Sequence, residues 1–153
     1  MTSTPAQGHA QAPAAPPALH DGRARQIPFL LHLGARLLHE AHGTAVVALD
    51  LHPTLLNNHG GGHGGVVMTL LDSAMANAAL SKVDYTREVV TIDMHIAFMR
   101  PAVGALLATG RATGGGRSVC FCEAEITDAE GRVTAKAMGT FRYRAPGSSQ
   151  AGE

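Results

Sequence analysis

The sequence predicts an α+β domain in which one long helix packs against one antiparallel β-sheet. One apolar segment, residues 64–81, has the length and composition of a buried helix. Four strand-like segments follow it, and the short turns between them favour antiparallel pairing. A single helix laid on a single sheet buries the apolar face of both.

Length and charge bound the class of protein. The chain has 153 residues, which favours one domain, and its 12 basic and 12 acidic residues give a formal charge of zero. Bulk electrostatics therefore indicate neither a nucleic-acid nor an acidic-membrane partner. No apolar run reaches the ~18 residues that a membrane span needs. We expect a disordered Ala/Pro-rich tail at 1–25, without signal-peptide character, a folded domain at 26–145 and a disordered tail at 146–153.

The elements before the long helix are short. Residues 27–33 are predicted to form one or two helical turns, and residues 36–38 and 44–51 to form strands joined by a turn at 41–43. Pro53 is expected to end the second strand, because proline cannot donate to a ladder.

The four later strands are predicted at 89–99, 105–113, 118–127 and, after a turn at 128–131, from 133 to 143. In the first of them every even position is apolar, which predicts one face on a core: Val90, Ile92, Met94, Ile96 and Phe98.

Two cysteines, Cys120 and Cys122, are separated by one residue of a predicted strand. Their side chains should therefore point to the same face, which is poor geometry for a disulfide, and one C-x-C pair is a weak zinc signal. We interpret them as small core residues, and a reducing, cytoplasmic location is the default expectation.

The start of the long helix carries the strongest functional signal. A glycine-rich loop leads into the helix, and Asp72 is the only charged residue between Asp50 and Lys82. The first N–H groups of a helix are free and lie at its positive end, so they can polarise a carbonyl oxygen. A carboxylate two turns later can serve as base or nucleophile. The alternatives are a flexible turn and a simply solvated Asp72.

Several motifs together resemble the hotdog-fold acyl-CoA thioesterases of the phenylacetate-degradation (PaaI-like) type. They are Asn57-x-x-Gly60-x-x-His63-Gly64-Gly65, then Asp72, then Thr91-Ile-Asp-Met-His-Ile-Ala-Phe-Met-Arg-Pro101, then Gly116-Arg117-Ser118. The resemblance extends from about residue 28 to 143. It implies the hotdog fold, with one long central helix wrapped by an antiparallel sheet, and hydrolysis of acyl-CoA or aryl-acyl-CoA thioesters.

The resemblance also implies catalytic roles. Asp72 would attack the thioester carbonyl or activate water, Asn57 and the Gly64 N–H would hold the thioester oxygen, and His63 would shape the loop. Thr91 would orient water. The site would lie between two subunits, in a homodimer at minimum and a homotetramer of two dimers as the favoured assembly.

CoA itself belongs to the substrate, so no separate cofactor and no metal is expected. The candidates for contacting CoA are Gly65, Arg100, Arg117 and Ser118, and Arg142 is more simply a surface arginine. A metal site built on His59 and His63 has no third ligand nearby. Met68, Met75 and Met99 are further candidates, for an adaptable acyl pocket.

Two other functions remain open at this stage. A non-catalytic acyl-CoA binding module would use the glycine loop but would not need Asp72. A hotdog hydratase or dehydratase would need a catalytic histidine, and no motif of that type is found in the sequence.

Overall fold

The computed structural model describes residues 27–147, in which two α-helices and six β-strands follow one another along the chain. The predicted tail at 1–25, and residues 148–153 of the predicted C-terminal tail, lie outside the described residues. The elements are α1 (Pro28–Leu33), β1 (Arg36–Ala41), β2 (Thr44–Asp50), a 3-10 turn (Pro53–Leu55), α2 (Gly64–Lys82), β3 (Glu88–Phe98), β4 (Ala105–Gly115), β5 (Val119–Thr127) and β6 (Val133–Arg144).

The predicted fold class is confirmed, and the boundaries agree closely. The main difference is in β1, which continues to Ala41 where a strand of only three residues was predicted. It pairs with β2 down to the contact of Ala41 with Thr44. The turn between them, His42–Gly43, has positive φ at both residues, 49° and 79°. Such a tight turn matches the twist of the two strands, so pairing extends up to it.

The six strands form one antiparallel sheet in the order β1-β2-β4-β5-β6-β3. β3 pairs only with β6 and forms one edge, and β1 forms the other. α2 lies across one face, with most of its contacts to β4 and β2. The helix backbone approaches the sheet so closely at Gly110 that a Cβ there would lie 2.3 Å from the carbonyl of Ala74.

No helix within residues 27–147 is long and apolar enough to cross a membrane.

The core lies between α2 and the helix-facing side of the sheet. Alternate residues of β5 are buried, including Cys120 and Cys122, which are free thiols with Sγ atoms 3.7 Å apart. The cysteines are therefore core residues, as predicted. Tyr143 Oη donates to the Ala79 carbonyl at 2.9 Å and ties β6 to the last turns of α2.

The prediction that the even positions of β3 lie in the core was wrong at Val90 and Ile92, and also at Phe98 near the end of the strand. Thr91 pairs with Phe141 but Asp93 pairs with Thr140, so β3 carries a bulge at Ile92. A bulge adds one residue and reverses the alternation of side chains. Val90 and Ile92 are consequently exposed, at 42% and 55%.

Candidate active site

His63 organises the start of α2. It is the N-cap residue, and its Nδ1 accepts the Gly65 N–H at 3.0 Å. Its carbonyl oxygen accepts the N–H groups of Val66 and Val67, at 2.9 and 3.2 Å. The Gly64 N–H has no hydrogen-bond acceptor within residues 27–147. His63 thus accepts three of the four N–H groups of the first helical turn. It leaves the Gly64 N–H, at the positive end of the helix, free for a ligand.

Asn57 holds the preceding loop together. Its Oδ1 accepts the His59 N–H at 2.8 Å and the Gly61 N–H at 3.2 Å. Its Nδ2 makes only a long contact of 3.4 Å, to the Gly62 carbonyl. The acceptor side of the amide is therefore used by the loop, whereas its donor side retains hydrogen-bonding capacity.

A cavity of about 370 Å³ opens beside these two donors. The Phe98 ring lies against Gly64, and a Cβ added at Gly64 would be 3.7 Å from that ring. Arg100 also lines the cavity, and its Nη1 donates to the Val133 carbonyl at 2.7 Å. The remaining lining is mostly apolar: Gly62, Val67, Met99, Pro101, Ala102, Thr134 and Ala135.

Asp72 and Thr91 form a second cluster. Thr91 Oγ1 donates a hydrogen bond of 2.7 Å to Asp72 Oδ1. Asp72 lies on the one incompletely buried stripe of α2, with Gly65, Met68 and Ala76, whereas Leu70 and Leu71 on its other sides are fully buried. Asp72 is half-buried and hydrogen-bonded, so it is not a simply solvated surface charge.

The two clusters are separated along the helix. Gly64 and Asp72 are eight residues apart, which corresponds to about 12 Å of helix axis. Asp72 and Thr91 do not line the cavity beside Asn57 and Gly64. One chain therefore presents a carboxylate and a pair of donors that do not meet each other.

Arg117 and Ser118 lie at the opposite end of the molecule from the Asn57 cavity. The Ser118 carbonyl accepts the N–H of Tyr143, which contacts the last turns of α2. The Arg117 carbonyl accepts Arg87 Nη1 at 2.6 Å, and both Arg117 and Ser118 are exposed. Within one chain, Arg100 is the only one of the three polar CoA candidates near the oxygen-binding donors.

Sequence reasoning missed part of the cavity wall. Phe98 was expected in the core but is 56% exposed and faces the cavity, and Thr134 is a buried polar residue in the same wall. Phe98 is the last paired residue of β3, where its pairing with β6 ends, and the pairing of β5 with β6 shifts register beside Thr134, between Ile126 and Thr127. Neither feature leaves a signal in the local pattern. Met75, considered for an acyl pocket, is fully buried in the core, whereas Met68 and Met99 are exposed.

Cys122 is poorly suited to nucleophilic chemistry. Burial raises the pKa of the Cys122 thiol, and the neighbouring Cys120 raises it further. A thiol must ionise to act as a nucleophile or metal ligand. Within residues 27–147 no group of three or more His, Cys, Asp or Glu side chains could hold a metal ion. The absence of a metal remains a prediction.

This chain is similar to known proteins over most of its length. The model of the thioesterase superfamily matches residues 59–135. A candidate esterase of Halobacterium salinarum is 32% identical over 125 residues, which cover 74% of this chain and 82% of that protein.

Two solved structures of PaaI proteins are similar to this chain. The Escherichia coli PaaI protein, from the phenylacetic acid degradation operon, has a TM-score of 0.72 and 26% identity and covers 77% of this chain and 85% of its own. A mutant of Thermus thermophilus PaaI has a TM-score of 0.70 and 30% identity, and the match covers 77% of this chain and 99% of the PaaI chain. On the fold, the site geometry and these matches, the chain belongs to the thioesterase superfamily and has its hotdog fold.

Proposed function

We propose that this protein hydrolyses acyl-CoA thioesters to the free acid and CoA, at a site shared by two subunits. The observation that carries the proposal is the hydrogen-bonded Asp72–Thr91 pair on the open stripe of α2. A carboxylate in that position has a role in hydrolysis and none in a module that only binds acyl-CoA.

The chemistry requires a carboxylate and an oxygen-binding pair. Asp72 either attacks the thioester carbon or removes a proton from the water that does. The carbonyl oxygen becomes negatively charged and is held by the Gly64 N–H and by Asn57 Nδ2. The carbon–sulfur bond then breaks, and CoA leaves as its thiol after taking up a proton. If water attacked, the acyl carbon ends as the free acid. If Asp72 attacked, water then hydrolyses the acyl–Asp72 anhydride, which releases the free acid and restores the carboxylate. Fixed donors aimed at the developing charge are the largest contribution of such sites.

Separation of the two clusters supports the shared site. Reacting atoms must approach to about 3–3.5 Å, whereas Gly64 and Asp72 of one chain lie about 12 Å apart along α2. A second subunit that brings its own Asp72 beside this Gly64 resolves the mismatch. β3 supports pairing, since it is an 11-residue edge strand with exposed apolar side chains at Val90, Ile92 and Phe98. Such edges bind other strands unless they are protected.

We propose a dimer as the minimal active unit, and association of two dimers into a tetramer. The sheet face that points away from α2 supports the second step, because it exposes three large apolar side chains, Leu107, Phe121 and Met138, at 42%, 51% and 64%. Exposed apolar patches on soluble proteins commonly mark interfaces.

CoA would lie along basic residues on its way to the thioester site. Arg100 lines the cavity beside Asn57, where it can meet a pyrophosphate or pantetheine oxygen. The Ser118 carbonyl accepts the N–H of Tyr143, two residues along β6 from Phe141, which pairs with Thr91. On the shared-site proposal, Arg117 and Ser118 would therefore act on the substrate held by the partner's glycine loop. Two free, buried cysteines fit the proposed reducing, cytoplasmic location.

Release of free thiol from a panel of CoA thioesters, from short acyl to phenylacetyl and benzoyl, tests the proposal. Phenylacetyl-CoA is included because the PaaI relatives belong to phenylacetate degradation. Asp72→Asn should lower kcat about 10²–10⁴-fold, the range expected for loss of a general base. Asp93→Asn is the matched control, since Asp93 lies on the same strand as Thr91 but is exposed and faces away from α2.

Wild-type rates for Asp72→Asn would refute this mechanism. Binding of acyl-CoA by the unmodified protein, without thiol release from any member of the panel, would favour the non-catalytic binding module instead.

A further inference from the structure

We infer that Met68 of α2 lies on the two-fold axis of the dimer, where it packs against Met68 of the partner subunit. The inference rests on the proposed shared site and adds the residue through which the two long helices meet. Nothing in the catalytic chemistry itself requires a methionine at this position.

Symmetry gives the first argument. If Gly64 meets Asp72 of the partner subunit, then in an isologous dimer Asp72 meets Gly64 of the partner subunit. Two contacts of this kind make the helices run in opposite directions along the segment between them. The residue halfway between 64 and 72 is 68, so this position faces its own copy across the axis.

The orientation of the side chain gives the second argument. At ~100° per residue, Met68 lies about 40° around the helix from Gly64 and Asp72 about 80°, so Met68 lies between them in direction as well as in height. Met68 is 44% exposed, although the adjacent Val67 is only 3% exposed. It is the one large apolar side chain of α2 that is left open in the single chain.

The chemistry of the side chain suits a self-contact. Methionine is unbranched and adaptable, so two copies can adjust around an axis without a fixed mutual geometry. The two thioester carbons would lie about 6 Å along the helix on either side of position 68, half of the spacing between Gly64 and Asp72. The Met68 pair would then be the wall between two active sites, and one substitution would change both sites at once.

Cross-linking tests the placement directly. Met68→Cys, treated with a short bis-maleimide, should give a covalent dimer. Ala76→Cys is the matched control. Ala76 lies on the same stripe, but it is eight residues from the two-fold axis on each helix. The two copies of position 76 would therefore lie about 24 Å apart along the direction of the helices. The unmodified protein controls for Cys120 and Cys122, which are buried. Equal cross-linking of both variants, or none of Met68→Cys, would overturn the inference.

A charge exchange tests the same point without cross-linking. Met68→Glu and Met68→Lys each place like charges together at the axis, so each alone should sediment as a monomer at concentrations where the unmodified protein is dimeric. Mixing the two should restore the dimer and thiol release, since only a residue that meets its own copy gains an opposite charge on mixing. Two stable homodimers, or no recovery on mixing, would contradict the inference. Failure of the proposed function would appear separately, as normal thiol release by Asp72→Asn.

Discussion

Thr91 Oγ1 lies 2.7 Å from Asp72 Oδ1 and donates a hydrogen bond to that carboxylate, and this bond joins the edge strand β3 to the open stripe of α2. The contact depends on the bulge at Ile92. Thr91 pairs with Phe141, a core residue that faces α2, so Thr91 also faces α2. Without the bulge, Thr91 would follow the alternation of Asp93 and point to the other side of the sheet.

We expect Thr91→Val to lower kcat about 10- to 100-fold with little change in KM. The substitution keeps the shape of the side chain but removes a hydrogen bond to a charged group, for which about 1.5–3 kcal/mol is typical. Thr91→Ser should retain most of the activity because it keeps the hydroxyl. Thr140→Val is the control, as Thr140 lies on the sheet face that points away from α2. Equal losses for valine and serine at position 91 would assign Thr91 a packing role instead.

Asn57→Asp should separate the two roles of Asn57. Aspartate keeps the oxygen that accepts the His59 and Gly61 N–H groups, so the loop and the melting temperature should be nearly unchanged. It removes the amide donor and adds a negative charge where the oxyanion forms, so kcat should fall about 10²–10³-fold. Asn58→Asp, at an exposed neighbouring position, is the control in both the thiol-release and thermal-melting assays. Retention of full activity by Asn57→Asp would remove Asn57 from the oxyanion site.

Gly110→Ala should destabilise the fold strongly. Its Cβ would lie 2.3 Å from the carbonyl carbon and oxygen of Ala74 and 2.7 Å from the Met75 nitrogen, all backbone atoms that cannot rotate away. Overpacking typically costs about 1–3 kcal/mol, and a backbone clash should reach the upper end of that range. Gly116→Ala is the control because a Cβ there meets no atom within 4 Å. Urea unfolding of the two variants would show whether α2 rests on β4 as closely as described.

Asp128 should contribute to stability in a pH-dependent way. Burial by itself would raise the pKa of this carboxyl group, but hydrogen bonds from the Arg132 N–H and guanidinium, and the charge of Arg132, hold the pKa below its usual value. A depressed folded-state pKa stabilises the protein above the unfolded pKa of about 3.9, and that stabilisation is lost as the pH falls through the folded value.

The measurement is the free energy of unfolding of the unmodified protein and Asp128→Asn between neutral pH and the acid limit. Their difference should be largest at neutral pH and should shrink as the pH falls below about 4. Glu130→Gln is the control, since its side chain is 63% exposed in its pair with Arg132 and its removal should matter little at any pH. A difference that stays constant with pH would mean that the Asp128 charge does not stabilise the turn.

Much of the fold follows from local pattern. The length of α2, its burial and its start at the glycine loop could be predicted because a continuous run of small apolar residues after glycine has few other outcomes. The alternation in β5 placed Cys120 and Cys122 in the core for the same reason. The site residues were found in the sequence through a motif, and their roles await the experiments above.

The tertiary structure decided what pattern alone could not. The bulge at Ile92 arises where β3 and β6 pair, and it puts Thr91 on the helix side although the sequence period places it with Asp93 on the polar side. The position of β3 at the sheet edge depends on strand order, which is set by packing across the whole sheet. The sequence by itself predicted which residues are candidates for the chemistry. The folded chain adds a distance: α2 is a rigid helix that places Gly64 and Asp72 about 12 Å apart along its axis, so one chain does not bring these two residues together.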